Sequence, residues 1–352
     1  MRPEPALHPA LAPLARGDWD GLLDRVGNRD PLRRLAVLAL TAPTVPSPVV
    51  ACVWRRGRLA AAAPLMLGRE RGLRVARTLG HPANWFDAEP PAETDAVEPL
   101  ARALAGLGAD VVTLAEVRPG SPLAAALGAS VPVRVRRESP TYRVRTAEGG
   151  RMAGRRREAG RVLRRAERAG ARVEVDTLAG WREVQWSLDA ALDLHLRRWT
   201  DHEAGAGGYP PHELVATPEG RELVRRCIAH LGRGGALRLT RIVIDGRLAA
   251  FALAAVVGDH AVMYRTAHDR TSPHASGLGA AALVVSLGDL AAEGVAQVDL
   301  GAGGDAFKRQ FTDPEPVVTL QAAVSRRGRL LLRAGSLRQV LRHRSGGGGP
   351  PA

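Results

Sequence analysis

Three runs of mostly apolar residues between Ala236 and Ala267 are broken at Asp245-Gly246 and again at Gly258-Asp259. Both dipeptides are hairpin signals, so the runs predict an antiparallel three-stranded meander. After a Ser/Pro/Gly stretch, the spacing predicts a helix over about Gly277 to Ala292 and a short buried strand over about Val295 to Leu300. Strand, glycine-bearing loop, helix and strand in that order form a crossover. The loop N–H groups and the helix N-terminus of such a unit suit an anion.

A similar pattern occurs earlier. Asp18 to Val26 predicts a helix with Trp19, Leu22, Leu23 and Val26 on one face. Val49 to Trp54 and Leu59 to Leu67 predict a hairpin around Arg56-Gly57, followed by a strand near Leu73 to Leu79, a helix near Ala96 to Leu107 and a strand at Asp110 to Val117. The string GRLAA occurs at Gly57 and again at Gly246, each time in a strand-turn-strand setting, which points to two copies of one architecture. The first copy has Pro90, Pro91 and Glu93 where the second has Gly277 and Gly279, and a carboxylate there repels phosphate. One cofactor site is therefore expected, in the second copy. The loop Asn84-Trp85-Phe86-Asp87 reads either as a turn with an aromatic plug or as the lining of an acceptor pocket.

Between the copies, Arg157, Arg161, Arg164, Arg168 and Arg172 fall in one narrow arc of a helical wheel, opposite Ala159, Val162, Leu163, Ala166 and Ala169. This amphipathic helix ends near Gly170. Its arginine stripe is either a solvated face or a docking rail for an anionic acceptor, such as a nucleotide-sugar diphosphate or the acceptor arm of a tRNA. Trp181 to Trp199 predicts a second long helix carrying His195, Arg198 and Trp199, where a lone His is more often packed or surface-exposed than catalytic. The loop from Glu203 has the composition of a lid, and Thr217-Pro218-Glu219 opens a helix that Gly232 to Gly235 ends.

Length changes this picture only by dividing it. The 352 residues accommodate two domains: a leader at 1–17, a first domain at 18–150, the basic helix at 151–172, a second domain at 173–335 and a Gly/Pro tail at 345–352. The net charge of +14 favours phosphate-bearing ligands, nucleic acid or anionic surfaces, or else reflects GC-rich coding, in keeping with the scarcity of Lys, Asn and Ile. Lys308 is the only lysine. Where a surface cation suffices the chain uses Arg, so a retained Lys suggests a narrow cleft that takes an ammonium and not a guanidinium. Cys52 and Cys227 lie far apart in apolar segments and read as buried thiols in a reducing compartment, with no metal-ligand spacing. No apolar run approaches ~18 residues, so a cytoplasmic protein without membrane insertion is expected.

The stretch from Ala236 to Phe311 resembles the GNAT acyltransferase superfamily, specifically its tandem-domain branch of cellulose-biosynthesis-associated (CelD-like) and Fem-like proteins. The resemblance implies an α+β fold of two tandem GNAT-like domains and acetyl-CoA or another acyl-CoA as cofactor. It places the pyrophosphate at the loop-to-helix turn of Ser276, Gly277, Gly279 and Ala280, with Tyr264 and Thr266 on the third strand also facing the cofactor. His274 stands where a basic or amide residue is common. Asp299 to Gly301 and Phe307-Lys308 match the family's strand end and aromatic-Lys pair. Asp299 and Lys308 are the expected catalytic residues, and Asn84, Asp87, Trp199, Phe307, Arg161 and Arg164 the expected acceptor contacts. Neither cysteine has a His or acidic neighbour that marks a nucleophile, so direct transfer to an amine or hydroxyl of a small or sugar-containing acceptor is expected. Two alternatives stand beside this: a Fem-like transferase taking its donor from aminoacyl-tRNA, the one case with a nucleic-acid partner, and a non-catalytic module of the same fold. VDLGAGGD at Val298 imitates the glycine loop of S-adenosylmethionine-dependent methyltransferases, but too little chain follows to build their sheet.

Overall fold

The computed structural model describes residues 9–45, 47–79, 89–146, 149–200, 217–301, 306–330 and 332. Among these residues, eleven strands form one sheet in the order β1-β2-β3-β4-β11-β5-β10-β9-β8-β7-β6. The first half contains the short helices α1 (Ala12–Arg16), α2 (Trp19–Arg25) and α3 (Leu35–Thr41). The meander β1 (Pro48–Arg55), β2 (Arg58–Glu70) and β3 (Leu73–Thr78) follows, then α4 (Val97–Ala105), β4 (Val111–Val117), α5 (Pro122–Ser130) and β5 (Val133–Arg145). The second half runs α6 (Gly149–Arg168), β6 (Val173–Ala179), α7 (Gly180–Thr200), α8 (Pro218–Arg233), β7 (Leu237–Ile244), β8 (Arg247–Val257), β9 (His260–His268), α9 (Leu278–Ala292), β10 (Gln297–Asp299) and β11 (Pro314–Ala323).

The two GRLAA strings sit at the same topological place, opening β2 and β8. Each follows a tight turn with two positive φ angles, +48° and +78° at Arg56-Gly57 and +50° and +75° at Asp245-Gly246. Such turns match the twist of the strands they join. In both halves a crossover helix returns the chain parallel to the last meander strand, with Val75↔Val111 in the first and His260↔Gln297 in the second. The expected three-stranded meander gains a fourth member, because β6 pairs antiparallel with β7 from Val173↔Ile244 to Ala179↔Arg238.

The halves are joined by an exchange of their last strands. β11 lies against β4 of the first half, and β5 lies against β10 of the second, while β11 and β5 pair with each other at the centre. The core has four parts, two for each half, one on either face of the sheet. In the second half α9 is apolar all round because it is enclosed, with Leu278, Leu283, Leu287 and Leu290 buried between the sheet and α6. Each such leucine contributes about 1.5–3 kcal/mol. The apolar side of α6, with Met152, Ala159 and Ala166 buried and Val162 and Leu163 partly so, covers α9. On the opposite face α7 and α8 bury Val184, Leu188, Leu223 and Ile228 against Leu239, Phe251 and Tyr264.

Candidate active site at the splay of β9 and β10

β9 and β10 pair at three positions only, the last being Asp299↔Val262. β10 ends there, whereas β9 continues to His268, paired on its other side with β8. Beyond that pair, β9 from Met263 to His268 has no strand on its β10 side among the described residues, and a parting of strands of this kind can admit an extended ligand. Above the gap lies the start of α9. Its N-cap, Gly277, has φ +87°, a conformation L side chains rarely adopt, and no side chain caps the helix.

The glycines of this turn have packing reasons of their own. A Cβ on Gly277 would lie 2.8 Å from Val162 Cγ2 of α6, and one on Gly279 would lie 2.8 Å from His268 Nδ1. Arg165 of α6 donates to the Ser276 carbonyl at 3.0 Å. The arginine helix is thus not separate from the crossover loop, as its sequence position suggested, but forms one wall of it. On its outer side Arg157, Arg161, Arg164 and Arg168 are exposed, and no ion pair is formed by any of the four among the described residues.

Below the gap, Asp299 is 3% exposed. Its Oδ1 accepts the Gly301 N–H at 2.7 Å and its Oδ2 accepts Arg143 Nε at 3.2 Å. Burial pushes this carboxyl above its ordinary range, against the downward pull of the Arg143 charge and the Gly301 hydrogen bond. Lys308 meets the same turn from the other side. Its Nζ donates to the Gly301 carbonyl at 3.1 Å and stands 5.9 Å from the centre of the Tyr142 ring. Phe307 stacks edge-on against Phe311, with centroids 5.3 Å apart, and anchors that segment on the core. Gly301, at φ +77°, therefore connects the two expected catalytic residues through its two backbone groups.

Other expected contacts fall elsewhere. The Tyr264 side chain is a core residue beneath α7 and α8 with the Arg265 guanidinium 4.6 Å from its ring, so only its backbone reaches the splay. Thr266 presents its carbonyl to His195 Nδ1 at 3.3 Å. His195 is buried and reaches β9 through that carbonyl, a placement a lone His on a helix does not announce. Asn84 and Asp87 lie outside the described residues, as does the Trp199 side chain. Cys227 is buried but Cys52 only partly so; burial pushes their thiols up to about 12 and about 11, which keeps both protonated and unreactive at neutral pH.

On the face carrying α7 and α8, a cavity of about 610 Å³ opens beside the last β9–β10 pair. Val262 and Asp299 both line it, together with Arg143 and Arg145 of β5, Arg118 just after β4 and Arg29 from the N-terminal region. None of these arginines stood out in the sequence. Arg143 and Arg145 share a strand face, and that two-residue period is the signal that locates them.

Residues 153–309, from α6 to just beyond Lys308, match the family model described as an acetyltransferase (GNAT) domain. None of the curated proteins matches the sequence. Among solved structures, the chain is similar to the C-terminal domain (DUF2156) of a proposed lysylphosphatidylglycerol synthetase from Agrobacterium fabrum, at 16% identity, covering 92% of this chain and 95% of that one, with a TM-score of 0.53. It is also similar to L-PGS from Bacillus licheniformis, at 12% identity, 88% and 92% coverage and a TM-score of 0.52. FemX gives 10% identity, 83% and 92% coverage and a TM-score of 0.54. At these identities the likeness is one of fold. Among the described residues, no helix is long and apolar enough to cross a membrane.

Proposed function

We propose that the protein is an acyltransferase of the tandem-domain branch that includes cellulose-biosynthesis-associated and Fem-like proteins. It moves an acyl group, acetyl in the simplest case, from acyl-CoA to an amine or hydroxyl of a small or sugar-containing acceptor. The observation that carries this reading is the parting of β9 from β10 beyond Asp299↔Val262, beside the glycine-started helix α9. Backbone groups at Ser276, Gly277, Gly279 and Ala280 suit a diphosphate, and the stretch of β9 at Tyr264 and Thr266 would flank a pantetheine arm entering where the strands part. When bound, the coenzyme supplies an activated thioester carbonyl.

The chain supplies the proton handling. Asp299 accepts the proton of the attacking amine, and a carboxylate with a raised pKa is a stronger base for that step. Lys308 is a positioning residue, since it holds the Gly301 carbonyl while the Gly301 N–H holds Asp299. Transfer is direct, because neither protonated thiol serves as a nucleophile. Asn84, Asp87, Trp199 and Phe307 belong to the acceptor side. Titrating acetyl-CoA while following the melting transition tests the reading. A ligand at ~100 times its dissociation constant adds about 2.7 kcal/mol of stability, and no shift at millimolar acetyl-CoA would overturn it.

A second reading rests on the outer face of α6. Arg157, Arg161, Arg164 and Arg168 project from a helix whose inner side touches the α9 turn, and a Fem-like enzyme would use them on the acceptor stem of an aminoacyl-tRNA. Salt-sensitive tRNA binding, weakened by Gln at Arg161 and Arg164, would favour that donor over acyl-CoA.

A further inference from the structure

A second cavity, of about 520 Å³, opens at the end of the first half where β3 and β4 begin, away from the start of α4. Its walls are the β2–β3 turn at Gly72, the loop from α4 to β4 at Gly106 and Gly108, and the segment just after β11. Arg69, Arg74 and Arg327 line it. Arg69 and Arg74 stand directly opposite each other across the antiparallel pair β2–β3, in line with Leu67 and Ala76, which pack on the core beneath α4. Like charges in that relation repel and weaken a hairpin. Arg327 brings a third charge to the same turn. A Cβ on Gly72 would lie 3.3 Å from Arg327 Nη2, and one on Gly108 would lie 3.9 Å from Arg74 Nη1, so both guanidinium groups rest against glycines with positive φ.

One carboxylate lines the cavity, and it is already engaged. Asp110 Oδ1 accepts Ser325 Oγ at 2.6 Å, and its Oδ2 accepts the Arg74 backbone N–H at 2.9 Å. These two hydrogen bonds, helped by the charges of Arg327 and Arg74, outweigh burial and hold the carboxyl below its ordinary range, so it is ionised at neutral pH. Glu70, next to Arg69 in the chain, pairs with Arg77 on the other face of the sheet. Among the described residues, none of the three guanidinium groups makes an ion pair or a hydrogen bond. The carbonyl end of α4, at Ala105 in the same wall, favours a cation nearby but does not account for three. The lining thus holds three positive charges against one negative.

A dianion removes that surplus. Three guanidinium forks also match the three terminal oxygens of a phosphate group better than the two of a carboxylate. We propose that this cavity is a second ligand site, which takes the phosphate of a small phosphomonoester and holds it between the β2–β3 hairpin and the segment after β11. It stands apart from the α9 turn and does not depend on the acyltransferase reading. The test is calorimetric titration of the full chain with inorganic phosphate and glucose 6-phosphate, and with acetate and gluconate as their carboxylate counterparts. At least one phosphate should bind about ten-fold or more tightly than both carboxylates. Arg69→Gln and Arg327→Gln, at exposed positions on separate segments, should each raise its dissociation constant about ten-fold. Gly277→Ala should leave that constant unchanged, which distinguishes this cavity from the α9 turn. Carboxylates that bind as tightly, no binding of either phosphate, unchanged affinity in both arginine variants, or a loss confined to Gly277→Ala would overturn the proposal.

Discussion

The two crossovers of this sheet share a topology and differ in what stands at the start of the helix. In the second half, β9 parts from β10 and α9 starts at a glycine whose turn is held by Arg165. In the first half the chain closes the corresponding place itself. The segment around Ala92 bridges to Ala61, with Ala62 N–H bonded to the Pro91 carbonyl and Glu93 N–H to the Ala60 carbonyl. The Glu93 carboxylate then takes Arg25 at 2.9 Å and also Arg58. One copy starts its helix at a glycine with no side-chain cap, whereas the other ties the segment ahead of its helix to β2. A duplicated fold therefore carries one candidate crossover site, and the difference lies in a few residues ahead of each helix.

The helix flanking each crossover differs as well. In the first half α4 is flanked by α5, which follows β4 in the chain. In the second half α9 is flanked by α6, which precedes the whole half. A helix that reads as a linker thus fills the place that a later helix fills in the other copy.

The largest expected effect is at Asp299. Asp299→Asn should lower kcat about 100-fold or more, within the range for general-base catalysis, and should abolish the acid limb of the kcat/KM profile. In the parent that limb lies above the ordinary carboxylate range, activity rising as pH climbs through the raised pKa and the group becomes ionised. A limb that survives in the variant would assign the base elsewhere. Lys308→Arg should come next, with turnover lower by about ten-fold, or ~1.4 kcal/mol, little change in Tm, and a shifted acid limb because Gly301 moves. An arginine variant with parent rates and an unmoved limb would make Lys308 an ordinary cation.

Gly277→Ala sharpens the contrast between the two crossovers, since it meets both the positive φ and Val162; a loss of about 1–2 kcal/mol in chemical denaturation is expected, together with weaker acetyl-CoA binding. Parent-like stability would show that α6 yields easily. The smallest effect belongs to the filled crossover. Burial works to raise the pKa of Glu93, but hydrogen bonds from Arg58 and Arg25 outweigh it and hold the carboxyl below its ordinary value. Its stabilisation is therefore present above the ordinary glutamate value of ~4.3 and is lost as pH falls through the lower folded value. Glu93→Gln should cost at most about 1 kcal/mol at pH 7 and nothing in acetyl-CoA affinity; a change in affinity would mean that the first half also holds ligand.

What the sequence concealed was mostly the centre of the sheet. The hairpins, both crossovers and the glycine turn are legible because Asp-Gly, Gly-Asp and apolar runs are local signals. β5 reads VRVRRESPTYRVR, in which a run of charges and Pro140 argue against a central strand. The structure resolves the conflict by placing Pro140 opposite Pro316 of β11, so that two residues without an N–H face each other. On its other side β10 pairs only from Arg143 onward, and no donor is needed there. Arg143 and Arg145 were hidden with the strand that carries them. The alternation of β6, VEVDTLA, is a local signal, but the strand lies far along the chain from the meander it joins, so its pairing with β7 is not.

The exchange of β5 and β11 also bears on how the chain folds as it is made. When the first half leaves the ribosome, β4 and β5 lack the strand that separates them, because Val117 and Val135 await Val318 and Leu320, which follow the other strands of the second half. Until then both strands present open edges, the kind of surface that chaperones cover and that pairs wrongly with other chains. Closing the sheet joins segments far apart in the chain, so completion of this protein should be slow compared with completion of its helices.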